Sequence, residues 1–70
     1  MQITNEQKQQ LLEVTLTNGT NAWDYVQAWP KESDRPWIVA GILSCIEKGY
    51  KLNEMMIGWE TRNLRTAERL

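Results

Sequence analysis

The stretch Asp34-Arg35-Pro36-Trp37-Ile38-Val39-Ala40-Gly41-Ile42-Leu43-Ser44-Cys45-Ile46-Glu47-Lys48-Gly49-Tyr50 decides the fold of this chain. Ser33 or Asp34 ahead of Pro36 reads as a helix cap followed by proline in the first turn, where its missing N–H costs nothing. From about 36 to 48, Trp37, Ile38, Val39, Ala40, Ile42, Leu43, Cys45 and Ile46 cover most of a helix's circumference. A helix that is apolar nearly all round has to be buried, so this is the expected central element. Its uncovered sector carries Gly41, Ser44 and Lys48, with Trp37 at the upper end. Small residues there predict a groove that another backbone approaches closely. Gly49 stops the helix, Lys48 complements its negative end, and Tyr50 is placed to fold back as the apolar contact after the cap.

Working upstream, Thr20-Asn21 caps a short second helix in which Ala22, Tyr25, Val26 and Trp29 share one face, ended by Pro30. At the start of the chain Thr4 and Gln7 form a capping box, with Glu6 at the positive helix end. Leu11, Leu12 and Leu16 then make an apolar stripe that Asn18-Gly19 closes, predicting a first helix over about 5–17. Val14-Thr15-Leu16-Thr17 also alternates as a strand does, but no second strand-like segment is present to pair with it, and the helix is preferred. Downstream, Asn53 caps a fourth helix over about 54–68, whose Met55, Met56, Trp59, Ala67 and Leu70 share a broad face widened by Ile57 and Leu64. Trp59 is expected in the core. No repeat or low-complexity tract interrupts this pattern. The expected fold is all-α, a compact bundle of about four short helices in one domain over residues 1–70.

A chain of 70 residues buries only about 60% of the surface its unfolded form exposes, so its core carries a thin margin. Cys45 is the only cysteine and histidine is absent, which removes disulfide and zinc staples and makes a partner or a second copy the expected support. No metal site is expected. Cys45 within an apolar run suits a reducing compartment and a small buried hydrophobe. The polar start Met1-Gln2-Ile3-Thr4-Asn5-Glu6-Gln7-Lys8 has no signal-peptide pattern, and the longest apolar run, 37–46, is too short for a bilayer. A cytoplasmic protein without a membrane span is the expectation. With 8 Lys and Arg against 9 Asp and Glu the net charge is −1, so any basic patch is local.

Without histidine, Ser33 and Ser44 lack the usual general base of an acyl-transfer triad. Asp24, Glu32, Asp34, Glu47 and Glu54 are scattered among caps, loops and polar faces, which does not suit paired acid–base work. Neither a phosphate-binding loop nor a dinucleotide fingerprint is present. The expectation is a protein that is not an enzyme and uses no cofactor.

The aromatic inventory points to binding: four tryptophans, two tyrosines and no phenylalanine, so every ring has a polar handle. Trp23, Trp29 and Trp37 flank the polar loop that contains Arg35, and tryptophan and arginine dominate interface hot spots. An alternative role for these rings, Trp29 above all, is filling a small core. Arg62, Arg65 and Arg69 fall within about 60° of one another on the fourth helix, beside Gly58, an arrangement suited to an acidic protein surface or to phosphates. A solvated face neutralised in part by Glu68 would read the same way. Helices three and four around Gly49-Tyr50 have helix-turn-helix lengths, but the would-be recognition helix begins Glu54-Met55-Met56-Ile57, acidic and then apolar. Met55 and Met56 beside Trp59 fit either core packing or an adaptable apolar surface for partner helices. Together these features predict a small non-catalytic protein-binding module, such as an adaptor, inhibitor or accessory factor. Its partner-binding residues are expected among Trp23, Arg35, Trp37, Arg62, Arg65 and Arg69. A nucleic-acid-binding regulator using the arginine-bearing C-terminal helix is the alternative, and a homo-oligomer is a third expectation.

Overall fold

The structure, a computed structural model, describes residues 2–68. The expectations for Arg69 and Leu70 therefore lie outside the described residues. Four α-helices follow in chain order: α1 (Asn5–Leu12), α2 (Ala22–Gln27), α3 (Arg35–Lys48) and α4 (Glu54–Glu68), with a 3-10 turn at Glu32–Asp34 leading into α3. The all-α expectation holds: among the described residues the only β feature is one antiparallel bridge, Thr15 to Asn21. The radius of gyration, 11.1 Å, is close to the value of about 11 Å expected for a compact chain of this length. Among the described residues no helix is long and apolar enough to cross a membrane.

The capping signals operate as read. Thr4 and Gln7 exchange hydrogen bonds, Gln7 N to Thr4 Oγ1 at 3.1 Å and Thr4 N to Gln7 Oε1 at 2.9 Å. At α4, the Met56 amide donates to Asn53 Oδ1 at 2.8 Å. Gly49 takes the left-handed conformation (φ 75°), and Tyr50 N reaches Cys45 O at 2.9 Å in a Schellman closure. Tyr50 itself is exposed, with the Lys48 ammonium 5.8 Å from its ring centre. The expected cap at α3 is not made: the Asp34 side chain makes no capping bond and reaches Arg65 instead.

The first helix is shorter than its apolar stripe predicts, ending at Leu12 and not near 17. Residues 14–22 form a small loop closed by backbone bonds, Ala22 N to Val14 O (2.9 Å) and Leu16 N to Thr20 O (2.8 Å), with Gly19 at φ 89° in its turn. The β-branched alternation at 14–17 thus finds its pairing partner in the next few residues, a hairpin-like return too short to read as a strand. Asn21 makes that economical: its Oδ1 accepts from the amides of Trp23 and Asp24, while its Nδ2 donates to Leu12 O at 2.8 Å. One side chain caps the start of α2 and the end of α1. Thr17 N donates to Leu52 O at 3.0 Å, fastening this loop to the connection before α4.

The core gathers Leu11, Leu16, Ala22, Val26, Ile38, Val39, Ile42, Cys45 and Ile57. Four of these nine residues come from α3, more than from any other helix, as expected for the central element, although Ile46 is exposed. An isolated eight-residue helix such as α1 is marginal in water, so α1 depends on burying Leu11 here. Cys45 is a buried free thiol whose Sγ lies 3.6 Å from Met56 O. Burial pushes its pKa up, the Glu60 charge adds to the rise, and Lys48 opposes it, all as expected of an inert core thiol.

The groove predicted on α3 exists, and α4 fills it. A Cβ at Gly41 would collide with Thr61 Oγ1 and lie 3.2 Å from both Ile57 O and Thr61 N, so only glycine admits α4 this closely. Beside it, Glu60, only 2% exposed, accepts from Ser44 Oγ (3.1 Å), Lys48 Nζ (2.8 Å) and Asn63 Nδ2 (3.5 Å). A buried carboxylate needs such partners to offset desolvation. The Lys48 hydrogen bond holds the Glu60 pKa below its ordinary value against the opposing effect of burial, with Ser44 adding to the lowering. Among the described residues every buried side-chain polar atom has a partner.

Candidate functional site

Packing of Ile57, Glu60 and Thr61 against α3 fixes what α4 shows to solvent. At 100° per residue Met55, Trp59, Arg62 and Thr66 lie within about 60° of one another on the opposite side. All four are exposed, Met55 at 76% and Trp59 at 57%. Sequence reasoning placed Trp59 in the core, which the structure corrects, and left Met55 and Met56 between core packing and an exposed apolar surface; Met55 is exposed and Met56 half-buried. The inner face is instead Met56, Ile57, Glu60, Thr61 and Leu64, two of them polar. The error has a physical origin. The apolar residues of α4 fall on two opposite faces, and hydrophobicity alone does not say which one is buried. The telling signal was the polar sector of α3: Ser44 and Lys48 call for a carboxylate opposite, and Glu60 supplies it.

Along this outer face two concavities share Gly58 and Arg62. One, of about 300 Å³, is lined by Met55, Gly58, Trp59 and Arg62. The other, of about 590 Å³, is walled by Trp29 and Ile38 on one side and by Gly58, Thr61, Arg62, Arg65 and Thr66 of α4 on the other, with Asp34 at its edge. Gly58 contributes bare backbone, since a Cβ there would meet nothing within 4 Å.

The wall formed by Trp29 is held in place. Arg35 donates from Nε (3.0 Å) and Nη2 (2.8 Å) to Trp29 O, closing the loop between α2 and α3, while Tyr25 packs at 5.8 Å and 56° against the Trp29 ring. Arg65 Nη1 lies 3.2 Å from Asp34 Oδ1, and its guanidinium stands 5.6 Å from the centre of the Trp37 ring. It thereby laces the end of α4 to the start of α3. Arg62 is exposed and makes no ion pair among the described residues.

The structure therefore unites Arg62, Arg65 and Trp29 around one hollow. Trp37 stands behind Arg65 and lines a separate concavity of about 280 Å³ with Ala40, Leu64 and Ala67. Arg35 faces another concavity with Gln2, Ile3 and Gln27, its polar atoms directed to the Trp29 carbonyl. Half-buried Trp23 packs against the core, with Lys8 Nζ 5.4 Å over its ring. Gly58, Met55, Trp59 and Thr66 are the surface residues that sequence reasoning did not assign to the site.

The groups on this surface are guanidiniums, hydroxyls, aromatic faces and one ion-paired carboxylate, which suit recognition of anions and apolar groups. Among the described residues no three His, Cys, Asp or Glu side chains converge to hold a metal ion. Compared with known protein families, with curated proteins and with solved structures, the chain matches none.

Proposed function

We propose that the protein is a small non-catalytic binding module that acts by occupying a surface of a larger protein, with the outer face of α4 as its contact. The observation that carries this reading is the exposure of Met55 and Trp59 beside Arg62, on the side of α4 turned away from the core. Tryptophan, methionine and arginine are the residue types enriched at interfaces, and a contiguous apolar face of this kind marks interaction sites on soluble proteins. Arg62 and Arg65 add charge that selects among partners and orients them. A cytoplasmic setting goes with this reading, because the lone thiol of Cys45 needs no oxidising compartment.

The test is capture of partners from the native cytoplasm by the tagged protein, with and without nuclease, beside a Trp59→Ala/Arg62→Ala variant. A protein recovered in both nuclease conditions and lost with the variant supports the reading. Recovery that depends on nucleic acid, or that survives in a folded variant, overturns it.

A further inference from the structure

We infer that the hollow between α4, the end of α2 and the start of α3 is a subsite for an acidic, apolar segment of the partner protein. A large apolar side chain sits against Trp29, Ile38 and the backbone of Gly58, with a neighbouring carboxylate paired to Arg62 and Arg65. This rests on the proposed binding role and names the chemistry of what is bound.

The shape supports it first. At about 590 Å³ the hollow lies within the range of about 300–1,000 Å³ that ligand pockets occupy. Its inner wall, Ile38, is 4% exposed and belongs to the core, and Trp29 is braced by Arg35 and Tyr25, so the apolar wall is preformed. The missing side chain at Gly58 lets an incoming group reach the helix backbone.

Charge then selects the occupant. The hollow has two arginines and one aspartate, a local excess of one positive charge on a chain whose net charge is −1. Asp34 engages Nη1 of Arg65, and the Trp37 ring sits by its guanidinium; a guanidinium has five N–H donors, so others remain for a ligand. Arg62, with no ion pair among the described residues, offers a complete fork for a carboxylate. An apolar wall ending in two guanidiniums favours a ligand with a large apolar group and an anion a few bonds apart. A duplex presents its phosphates with the bases stacked inside, away from such a wall, and a neutral apolar segment leaves the arginines unused.

Indole-3-propionate and its neutral amide serve as probes of this chemistry, followed by 15N–1H chemical shifts of the whole protein. The expected result is saturable shifts centred on Gly58, Thr61, Arg62 and Thr66 and on the Trp29 indole, with the amide about tenfold weaker because a charge-assisted pair is lost. Arg62→Gln weakens the propionate by a similar factor and leaves the amide unchanged. Gly58→Leu, a change into open space, blocks both probes while the remaining spectrum keeps its dispersion.

Equal affinity for the two probes, shifts centred elsewhere, or the same shifts from inorganic phosphate alone would overturn the inference. So would concentration-dependent shifts at these residues without any probe, which would make a second copy the occupant. A partner captured through Trp59 and Arg62 whose binding is indifferent to Gly58→Leu would overturn this subsite alone and leave the proposed binding role standing.

Discussion

On its inner face α4 presents Ile57, Glu60 and Thr61 to α3, with Met56 and Leu64 half-buried beside them. On its outer face it presents Met55, Gly58, Trp59, Arg62 and Thr66 to solvent. The buried side contains a carboxylate and a hydroxyl, and the exposed side contains the largest apolar side chain of the helix. Burial on this helix follows complementarity to α3 more closely than it follows hydrophobicity. Glu60 is buried because Ser44 and Lys48 are waiting for it, and Thr61 because Gly41 leaves room; the Thr61 hydroxyl also donates to Ile57 O at 2.7 Å. Trp59 remains outside because it lies on the side of α4 opposite Ile57, Glu60 and Thr61. An apolar face excluded from the core in this way is available for another molecule.

Four measurements break or sharpen this contrast. The largest effect is expected from Ile57→Ala. Ile57 is fully buried between α4 and the core, and emptying its place costs about 2–5 kcal/mol in a urea or thermal unfolding experiment. A loss below about 1 kcal/mol would mean that the two helices are not packed as described.

The two helical glycines come next, because the same substitution is expected to act in opposite directions. Gly41→Ala forces a methyl group into Thr61 and the α4 backbone, an overpacking penalty of about 1–3 kcal/mol that outweighs the gain in helix propensity. Gly58→Ala meets nothing and gains up to about 1 kcal/mol from propensity alone. Unfolding midpoints that shift the same way in both variants would remove the distinction between the faces.

The ion pair between buried Glu60 and exposed Lys48 predicts a pH dependence. The pKa of Glu60 is lowered by folding, so its stabilisation is present above the ordinary carboxylate pKa and is lost as pH falls through the depressed folded value. Lys48 is raised by its bond to Glu60, so its share is present below the ordinary lysine pKa and is lost as pH rises through the raised value. Between about pH 5 and about pH 3 the unfolding midpoint of the natural chain should fall more than that of a Glu60→Gln variant. Parallel curves would show that Glu60 gains nothing from its partners.

The smallest effect on stability belongs to Trp59→Ala, expected within about 0.5 kcal/mol of the natural chain because the ring is mostly in water. Loss of partner capture without loss of stability is the pairing that marks a binding residue. A large destabilisation would return Trp59 to a packing role.

Local signals were readable wherever the chemistry is local. The Thr4–Gln7 capping box, the Asn21 and Asn53 caps, the left-handed Gly49 and the nearly all-apolar α3 each depend on a few neighbouring residues, and each forms as read. Even the groove on α3 was visible, since Gly41, Ser44 and Lys48 recur on one side of an otherwise apolar helix. Only the folded chain decided where α1 stops, because the bonds that end it come from Ala22 and Asn21, nine or so residues further on. Only the folded chain decided which side of α4 faces inward, because that choice is made by the fit of Glu60 and Thr61 to residues on another helix. The candidate site inherits the same division. The arginines could be named from their spacing, but the hollow that Arg62 and Arg65 share with Trp29 exists only once α2, α3 and α4 are packed. Sequence patterns report what a residue prefers within its own turn of chain, whereas a surface is defined by what the rest of the molecule leaves uncovered.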